Sequence, residues 1–316
     1  MDVLQVENVS KWFPTKDGKK EVIKDISFNI RKGQVVGLIG QNGAGKTTLM
    51  KMMIGLLKPS CGKIFLFDQL VQYGETKSNE NVGYLPDVPE FYNYMNSREY
   101  LLLCGRITGL SGSALSSRVN EVLDIVRLEG EKGRIGTFSR GMKQRLGIAQ
   151  GILNRPKFFI CDEPTSALDP GGRKDILDIL NIIKEYSTIL YSTHILSDVE
   201  RICDDIIAIN NGKISFQGSF EQIKANNPKK AVRLQLVNAG EKQRFLACLQ
   251  NKEHFSVDAL LHSLEEQDEK SVILYSEEPV KLQMIIFELL FQLQIFSQKV
   301  ELIEPTLEDV FMEAIQ

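Results

Sequence analysis

A glycine-rich segment with one lysine lies between an apolar run and a helical pattern. The segment Gly40–Thr48 reads GQNGAGKTT and follows the strand-like run Val35–Ile39. Its spacing, G-x-x-x-x-G-K-[ST], is typical of a loop that cradles phosphates, because the glycines let successive backbone N–H groups converge on phosphate oxygens. This phosphate loop therefore predicts a nucleoside triphosphate site. The residues that we expect to line it are Asn42, Gly43, Ala44, Gly45, Lys46, Thr47 and Thr48.

Two side chains of the phosphate loop are expected to contact the nucleotide or its metal ion directly. The Lys46 ammonium is expected to reach the β- and γ-phosphates, and the Thr47 hydroxyl is expected to ligate Mg²⁺. The amino end of the helix that follows adds about half a positive charge. The pattern predicts triphosphate binding but does not specify what hydrolysis drives.

Two adjacent carboxylates end a second apolar run. Phe158–Cys161 leads directly into Asp162 and Glu163, with Pro164 after them. In open parallel sheets, ligands bind at the carboxyl ends of the strands. We expect Asp162 to hold Mg²⁺ directly or through water, and Glu163 to polarise the attacking water. A general base of this kind contributes about 10²–10⁴-fold to a rate. An acidic strand end before a proline also fits an ordinary turn, so the assignment depends on the phosphate loop.

A third segment, Phe138–Leu146, reads FSRGMKQRL. Taken alone it is the start of a helix, with Ser139 as its N-cap. The amino end of a helix that opens with serine and glycine is also a second place where phosphate binds well. Its position shortly before Asp162 favours the second interpretation.

In this order, the motifs resemble those of the nucleotide-binding subunit of an ATP-binding-cassette (ABC) transporter. The resemblance runs from Val3 to about Gly218. The segment Ser166–Asp169 (SALD) matches the D-loop of that family, and His194, in the sequence STH, matches its switch histidine. The resemblance implies ATP and Mg²⁺ as cofactors, a contact of His194 with the γ-phosphate, and a place for Asp169 beside the nucleotide.

The resemblance also implies that two cassettes pack head to tail around two ATP molecules. Each ATP would contact the phosphate loop of one cassette and Ser139 and Gly141 of the other. A homodimer and a pairing with a related cassette both fit. Phe13 matches the aromatic residue that stacks on adenine in the family, and Trp12 is the adjacent alternative. Either ring could instead simply pack on the β-subdomain.

The chain departs from the common family pattern at two motifs. The usual signature LSGGQ is FSRGM here, with Arg140 and Met142 as replacements, and Asp87 stands where the Q-loop glutamine is expected. An aspartate can still bind Mg²⁺ or water. These departures, and the tail Glu304–Phe311 (EPTLEDVF), resemble the exporter branch that serves drug resistance, bacteriocin immunity and sodium efflux. The tail also fits a helix capped by Thr306.

The elements that must position these residues follow from the hydrophobic pattern. Residues 1–225 alternate buried strand runs with helical patterns, which predicts an α/β P-loop NTPase cassette with a mostly parallel sheet. An antiparallel β-subdomain opens it, and a helical insertion is expected at about 88–140. The polar stretch 224–230 is the predicted linker. Residues 231–316 predict a small C-terminal α+β domain, with strands at 232–237, 271–275 and 300–303 and helices at 280–296 and 306–315.

Composition limits the function classes. A chain of 316 residues suggests about two domains. The net charge of −3 provides no basic excess, so we expect no nucleic-acid partner. Five widely spaced cysteines suit reduced thiols, and no signal-peptide pattern follows Met1. The apolar stretch 280–296 contains charged and amide residues, so it predicts an amphipathic helix and not a membrane span.

These observations lead to one principal function and one alternative. We expect an ATPase subunit at the cytoplasmic face of the cell membrane that powers a separate integral membrane permease, as an exporter. Phe91, Tyr92 and Tyr94 of the insertion are candidates for the permease contact, although they could equally pack within the insertion. The alternative is a soluble ABC ATPase that acts in regulation, in immunity or on ribosomes without transport.

Overall fold

The strands of the first unit form two sheets. The computed structural model describes residues 1–16, 18–75, 77–222, 231–250 and 260–303, and the chain divides into a unit of residues 1–220 and a second unit that begins at Glu221. The strands of the first unit are, in chain order, β1 (Asp2–Thr15), β2 (Gly18–Arg31), β3 (Val35–Ile39), β4 (Cys61–Leu66), β5 (Gln69–Leu70), β6 (Val82–Leu85), β7 (Phe158–Asp162), β8 (Thr188–Thr193), β9 (Asp205–Asn210) and β10 (Lys213–Ser219).

The larger sheet has the strand order β10-β9-β3-β8-β7-β6. Every neighbouring pair is parallel except β10 with β9. Strands β3, β7 and β8 are buried along their whole length, as their continuous apolar runs predict. Because the strands from β9 to β6 run in the same direction, their carboxyl ends lie side by side at one edge. The segments that follow β3, β8, β7 and β6 therefore meet there.

The smaller sheet is antiparallel, with the order β2-β1-β4-β5. Its inward side chains, such as Val6, Ile26 and Ile64, share a core with Met50 and with Ile160 of the larger sheet. The mostly parallel sheet and the antiparallel β-subdomain predicted from the sequence are thus both present, and they are joined by one core.

The helices of the first unit include three that lie between β6 and β7. Of these, α2 opens with a capping box, in which the Asn96 side chain accepts from the Glu99 N–H and the Glu99 carboxylate accepts from the Asn96 N–H. The helices are α1 (Lys46–Met53), α2 (Ser97–Ile107), α3 (Gly112–Ile125), α4 (Arg140–Ile152), α5 (Pro170–Ile183) and α6 (Leu196–Ile202).

The second unit alternates strands and helices around one antiparallel sheet of order β12-β13-β11-β14. Val232, Leu234 and Phe245 pack with Leu282 and Ile286 in its core. In chain order its elements are β11 (Ala231–Leu236), α7 (Ala239–Gln250), β12 (Ser263–Glu266), β13 (Ser271–Tyr275), α8 (Pro279–Gln292) and β14 (Ser297–Ile303).

The sequence pattern predicted three of these strands and one of these helices. It missed α7 and β12, and it placed the end of α8 at residue 296, whereas the helix ends at Gln292. Gln294 has a φ of 51°, in the left-handed region, and this turns the chain away from the helix axis. The predicted linker 224–230, the tail motif and the helix at 306–315 lie outside the described residues. No helix among the described residues is both long and apolar enough to cross a membrane.

One close backbone contact between β6 and α4 generates a stability prediction. A Cβ added at Gly83 would lie 2.2 Å from the Gly151 carbonyl oxygen. We expect Gly83→Ala to lower the free energy of unfolding by about 1–3 kcal/mol, because the strand and helix must separate. Urea denaturation measures this. Gly130→Ala is the control, since a Cβ there meets no atom within 4 Å. Equal stability of the two variants would contradict the prediction.

Candidate functional site

The phosphate loop connects β3 to α1 and lines a cavity of about 590 Å³. Gly43 and Gly45 have φ values of 84° and 112°, which only glycine adopts readily. A Cβ at Gly45 would also lie 2.5 Å from Ile23 Cδ1. The Ala44 side chain belongs to the core and does not line the cavity, so its predicted contact with phosphate would be made by its backbone N–H and stays a prediction. The loop residues that line the cavity are Gln41, Asn42, Gly43, Gly45, Lys46, Thr47 and Thr48.

The Lys46 ammonium is buried, so its charge requires partners. It donates a hydrogen bond of 2.7 Å to the Gly40 carbonyl and lies 3.2 Å from Oε1 of Glu163. The positive charge of the phosphate loop therefore directly contacts the carboxylate that ends the neighbouring apolar run.

Glu163 is held in a strained conformation at the end of β7. Its φ is 49°, in the left-handed region that non-glycine residues rarely occupy, and this costs about 1–3 kcal/mol. Its N–H donates to the Ser192 carbonyl of β8 over 3.0 Å. Its Oε2 lies 2.8 Å from Nδ1 of His194, which follows β8. Three motifs that are far apart in sequence thus meet through one carboxylate.

Asp162 has the features of a cation ligand. Its Oδ2 accepts a hydrogen bond of 2.8 Å from the Thr47 hydroxyl. Its Oδ1 is buried and accepts no hydrogen bond from the described part of the chain. Burial raises the pKa of Asp162, as do the charges of Glu163 and Asp87, whereas the Thr47 hydrogen bond and Lys46 lower it. A buried carboxylate oxygen with a free lone pair beside a threonine hydroxyl fits Mg²⁺, which prefers oxygen ligands.

Asp87 lies between the cavity and the helix that opens with the signature motif. It follows β6 and lines the same cavity as the phosphate loop. Its Oδ1 is 4.0 Å from the Arg140 guanidinium, and its backbone carbonyl accepts from the buried Gln144 side chain over 3.2 Å. Asp87 and Arg140, two of the three residues at which the chain departs from the usual motifs, are therefore neighbours in the fold.

Ser139, Gly141 and Asp169 lie apart from the phosphate loop within this chain. They line another cavity, of about 500 Å³. Ser139 is the N-cap of α4, as predicted, and accepts from the Met142 N–H over 3.2 Å. Asp169 is the N-cap of α5 and accepts from the Gly172 N–H. One chain thus presents two separate groups of predicted site residues.

Phe13 does not line the phosphate-loop cavity. It is exposed on β1, with the Lys11 ammonium 4.9 Å from its ring centroid. Its pairing partner on β2, Lys20, does line the cavity. Trp12 is covered by Lys19, whose ammonium lies 4.7 Å from a ring centroid. Stacking of either ring on a nucleotide base stays a prediction.

Comparisons with known proteins agree with this geometry. The sequence profile of the ABC transporter family matches residues 23–166. The bacitracin transport ATP-binding protein BcrA of Bacillus licheniformis is 33% identical over 94% of this chain and 94% of its own length. The linearmycin resistance ATP-binding protein LnrL of Bacillus subtilis is 31% identical over 98% of this chain and 97% of its own. A solved ATP-binding subunit of an ABC transporter, 33% identical, superposes with a TM-score of 0.63 and covers 71% of this chain and 92% of its own.

The chain belongs to the ABC transporter ATP-binding family. It is an ATPase and the ATP-binding subunit of a transporter, and its first unit has the fold of a cassette. The sequence interpretation of family, fold class and enzymatic activity is confirmed.

Sequence reasoning missed a buried polar cluster beside the Glu163–His194 contact of this ABC cassette. Asp198 of α6 accepts from the Thr165 hydroxyl over 2.8 Å and from the Tyr191 hydroxyl over 3.2 Å. Its other oxygen accepts from the Arg173 guanidinium of α5 over 2.6 Å. Burial and the charge of Asp198 raise the pKa of Tyr191, so its hydroxyl stays protonated.

The position of this cluster predicts a role in alignment. Thr165 follows Glu163 by two residues, and Asp198 follows His194 by four. Asp198 therefore ties the segment after β7 to the segment after β8. The only signal in the sequence was a polar residue shortly after each motif. Polar residues are common in loops, so this signal does not identify the cluster.

We expect Asp198 to be a positioning residue for ATP hydrolysis. Asp198→Asn places an amide against the Arg173 and hydroxyl donors, so the Glu163–His194 geometry loosens. We expect kcat to fall about 10- to 100-fold with KM for ATP unchanged, since the phosphate loop is not altered. Steady-state ATPase kinetics and thermal unfolding measure the two effects separately.

The control is Asp178→Asn. Asp178 pairs with Arg201 over 3.6 Å and joins the same two helices, α5 and α6, at the surface. We expect it to keep the parental kcat. A folded Asp198→Asn protein with parental kcat would show that the cluster has only a structural role.

Proposed function

We propose that this ABC ATPase works as a head-to-tail pair of cassettes that powers export through a separate integral membrane permease. The observation that carries the proposal is the Glu163 carboxylate held between Lys46 and His194 at the mouth of the phosphate loop. This arrangement provides a base, a positive charge that can bind phosphate, and a histidine side chain that can contact the γ-phosphate.

In the proposed reaction, Glu163 polarises the water that attacks the γ-phosphorus. Lys46 neutralises the β- and γ-phosphate oxygens, and bound phosphate competes with Glu163 for its ammonium. His194 contacts the γ-phosphate and stays aligned through its hydrogen-bonding contact with Glu163. Because the Lys46 ammonium contacts the Glu163 carboxylate, a phosphate that attracts the ammonium would leave the carboxylate available to the water.

Magnesium is the proposed metal cofactor of this site. Thr47 and Asp162 would hold it, and Asp87, which lines the same cavity, would hold it through water. When bound, the ion would neutralise charge on the β- and γ-phosphates. The support from the structure is the buried Asp162 Oδ1 without a hydrogen-bond partner in the described chain.

The pairing of two cassettes rests on the separation of the two groups of site residues. Ser139 and Gly141 present a helix amino end, but their cavity does not include the phosphate loop of the same chain. A second cassette, identical or related, would bring its own Ser139–Gly141 segment to the phosphates bound by the first. Each of two ATP molecules would then be enclosed by both chains.

Export and a permease partner rest on the relatives and on one surface. BcrA and LnrL, named for bacitracin transport and linearmycin resistance, match this chain over nearly its whole length. In the insertion, Tyr92 and Tyr94 are exposed and their ring centroids lie 5.9 Å apart. Phe91, by contrast, packs edge-on against Tyr100. We propose the two exposed rings as part of the permease contact, which would place the chain at the cytoplasmic face of the membrane.

The first test of this proposal is Glu163→Gln. The amide cannot act as a base, so we expect ATP binding to persist while hydrolysis slows by about 10²–10⁴-fold. The variant should accumulate as an ATP-dependent dimer in size-exclusion chromatography. The exposed Glu129→Gln serves as the control and should hydrolyse at the parental rate. Parental hydrolysis by Glu163→Gln would mean that another group is the base.

The second test concerns the permease. Tagged chain isolated from detergent-solubilised membranes of its own cells should retain a multi-span membrane protein. The Tyr92→Ser/Tyr94→Ser variant should lose that protein while keeping basal ATPase activity, because neither ring lines the phosphate-loop cavity. Tyr73→Ser, at another exposed aromatic residue, is the control. Recovery with ribosomes, or with no membrane protein, would favour the soluble alternative.

A further inference from the structure

The helix α8 of the second unit is apolar on two opposite faces. One face buries Leu282, Ile286 and Leu289 against its own sheet. On the opposite face the exposed apolar residues are Val280 (57%), Met284 (63%), Phe287 (50%) and Phe291 (86%). A continuous exposed stripe of large apolar side chains marks an interaction surface, because exposing it to water is unfavourable. We call these four residues the α8 stripe.

The spacing of the α8 stripe identifies the kind of surface that fits it. Its members are separated by four, three and four residues, which is the a/d spacing of a helix that packs along another helix. Such a seam accepts knobs from a partner with the same period. A second copy of α8 has this spacing and these side chains because its sequence is the same.

The charges beside the stripe select the orientation of that partner. Lys281 and Glu288 lie on the same flank of the stripe, seven residues apart, and both are exposed. In an antiparallel pair related by a twofold axis, the same flanks of the two helices meet in opposite directions. Lys281 of one copy then lies beside Glu288 of the other, and the reciprocal pair forms as well. Lys281 also pairs with Glu278 of its own chain.

We propose that α8 binds α8 of a second copy of this chain, antiparallel, through the α8 stripe and two Lys281–Glu288 pairs. An anionic lipid surface fits less well, since residues 231–250 and 260–303 carry nine acidic and six basic side chains. Two four-residue stripes bury less area than the roughly 1,200–2,000 Å² of a stable interface, so the association is weak and reversible. It does not depend on the proposed cassette pair.

The experiment measures self-association of the full chain without nucleotide, by sedimentation velocity over a wide concentration range. We expect a concentration-dependent dimer. Met284→Ser/Phe287→Ser should raise the dimer Kd by about tenfold or more, because both side chains are central to the seam. Both are exposed, so thermal unfolding should remain parental. Leu56→Ser, at an exposed apolar residue of the first unit, is the control and should leave Kd unchanged.

A charge-exchange cycle tests the orientation. Lys281→Glu alone should raise Kd, because it places two carboxylates together at each end of the pair, and Glu288→Lys alone should do the same with two ammonium groups. The double variant restores opposite charges and should recover the parental Kd.

Four outcomes would overturn the proposal. The first is a chain that stays monomeric throughout, and the second is a dimer indifferent to the stripe variants. The third is a monomer that dimerises only when residues 304–316 are removed, which would mean that the chain covers its own stripe. The fourth is stripe-dependent binding to phosphatidylserine vesicles without self-association, which would identify a lipid surface.

Discussion

The contact of one carboxylate with two charged or polar partners determines which strands of the first unit must be adjacent and parallel. Glu163 reaches Lys46 and His194 only because β3, β8 and β7 are adjacent and parallel and end at the same edge. A change in strand order would move one of the three motifs out of reach. The left-handed backbone at Glu163 aims the carboxylate toward the phosphate loop, and its N–H hydrogen bond to the Ser192 carbonyl holds that conformation in place.

Burying charged groups around this contact costs free energy, and ion pairing within the site offsets part of that cost. The Lys46 ammonium is paired, but Asp162 keeps one oxygen without a hydrogen bond from the described chain, and burial raises its pKa. A bound cation stabilises a buried carboxylate more than a solvated one, because it removes the free-energy cost of burying the charge. Asp198 shows the opposite arrangement, since both of its oxygens already accept hydrogen bonds, from Thr165, Tyr191 and Arg173. Its contribution is therefore to alignment.

The sequence was informative where local pattern and chemistry coincide. The phosphate loop, the buried strands and the Ser139 cap follow from spacing and residue type, and the structure has them. The loop motif did not reveal that Ala44 turns its side chain into the core, because its spacing specifies the backbone and not each side chain. The Asp198 cluster and the contact between Asp87 and Arg140 were missed, because contacts between distant segments depend on strand order. In the second unit, α7 escaped detection because its apolar residues are concentrated in one run, 245–249, and show no clear helical period. The end of α8 was placed too late because Gln294 gives no sequence signal for a left-handed turn.

If a second chain brings its Ser139–Gly141 segment to the phosphate loop, as we propose, the reopening of that pair after hydrolysis has a consequence. Cassettes whose only direct contact is through shared ATP would lose that contact whenever both nucleotides are lost, even while each stays bound to the permease. If α8 also pairs with its copy, a second, ATP-independent contact keeps the chains at a high effective concentration during the open phase. A weak contact suits this purpose better than a strong one, because it shortens the search for the partner without resisting the motion that hydrolysis drives. The apolar side chains on the exposed face of α8 would then be retained because the chain works in pairs, and the folding of the second unit would depend only on the opposite face.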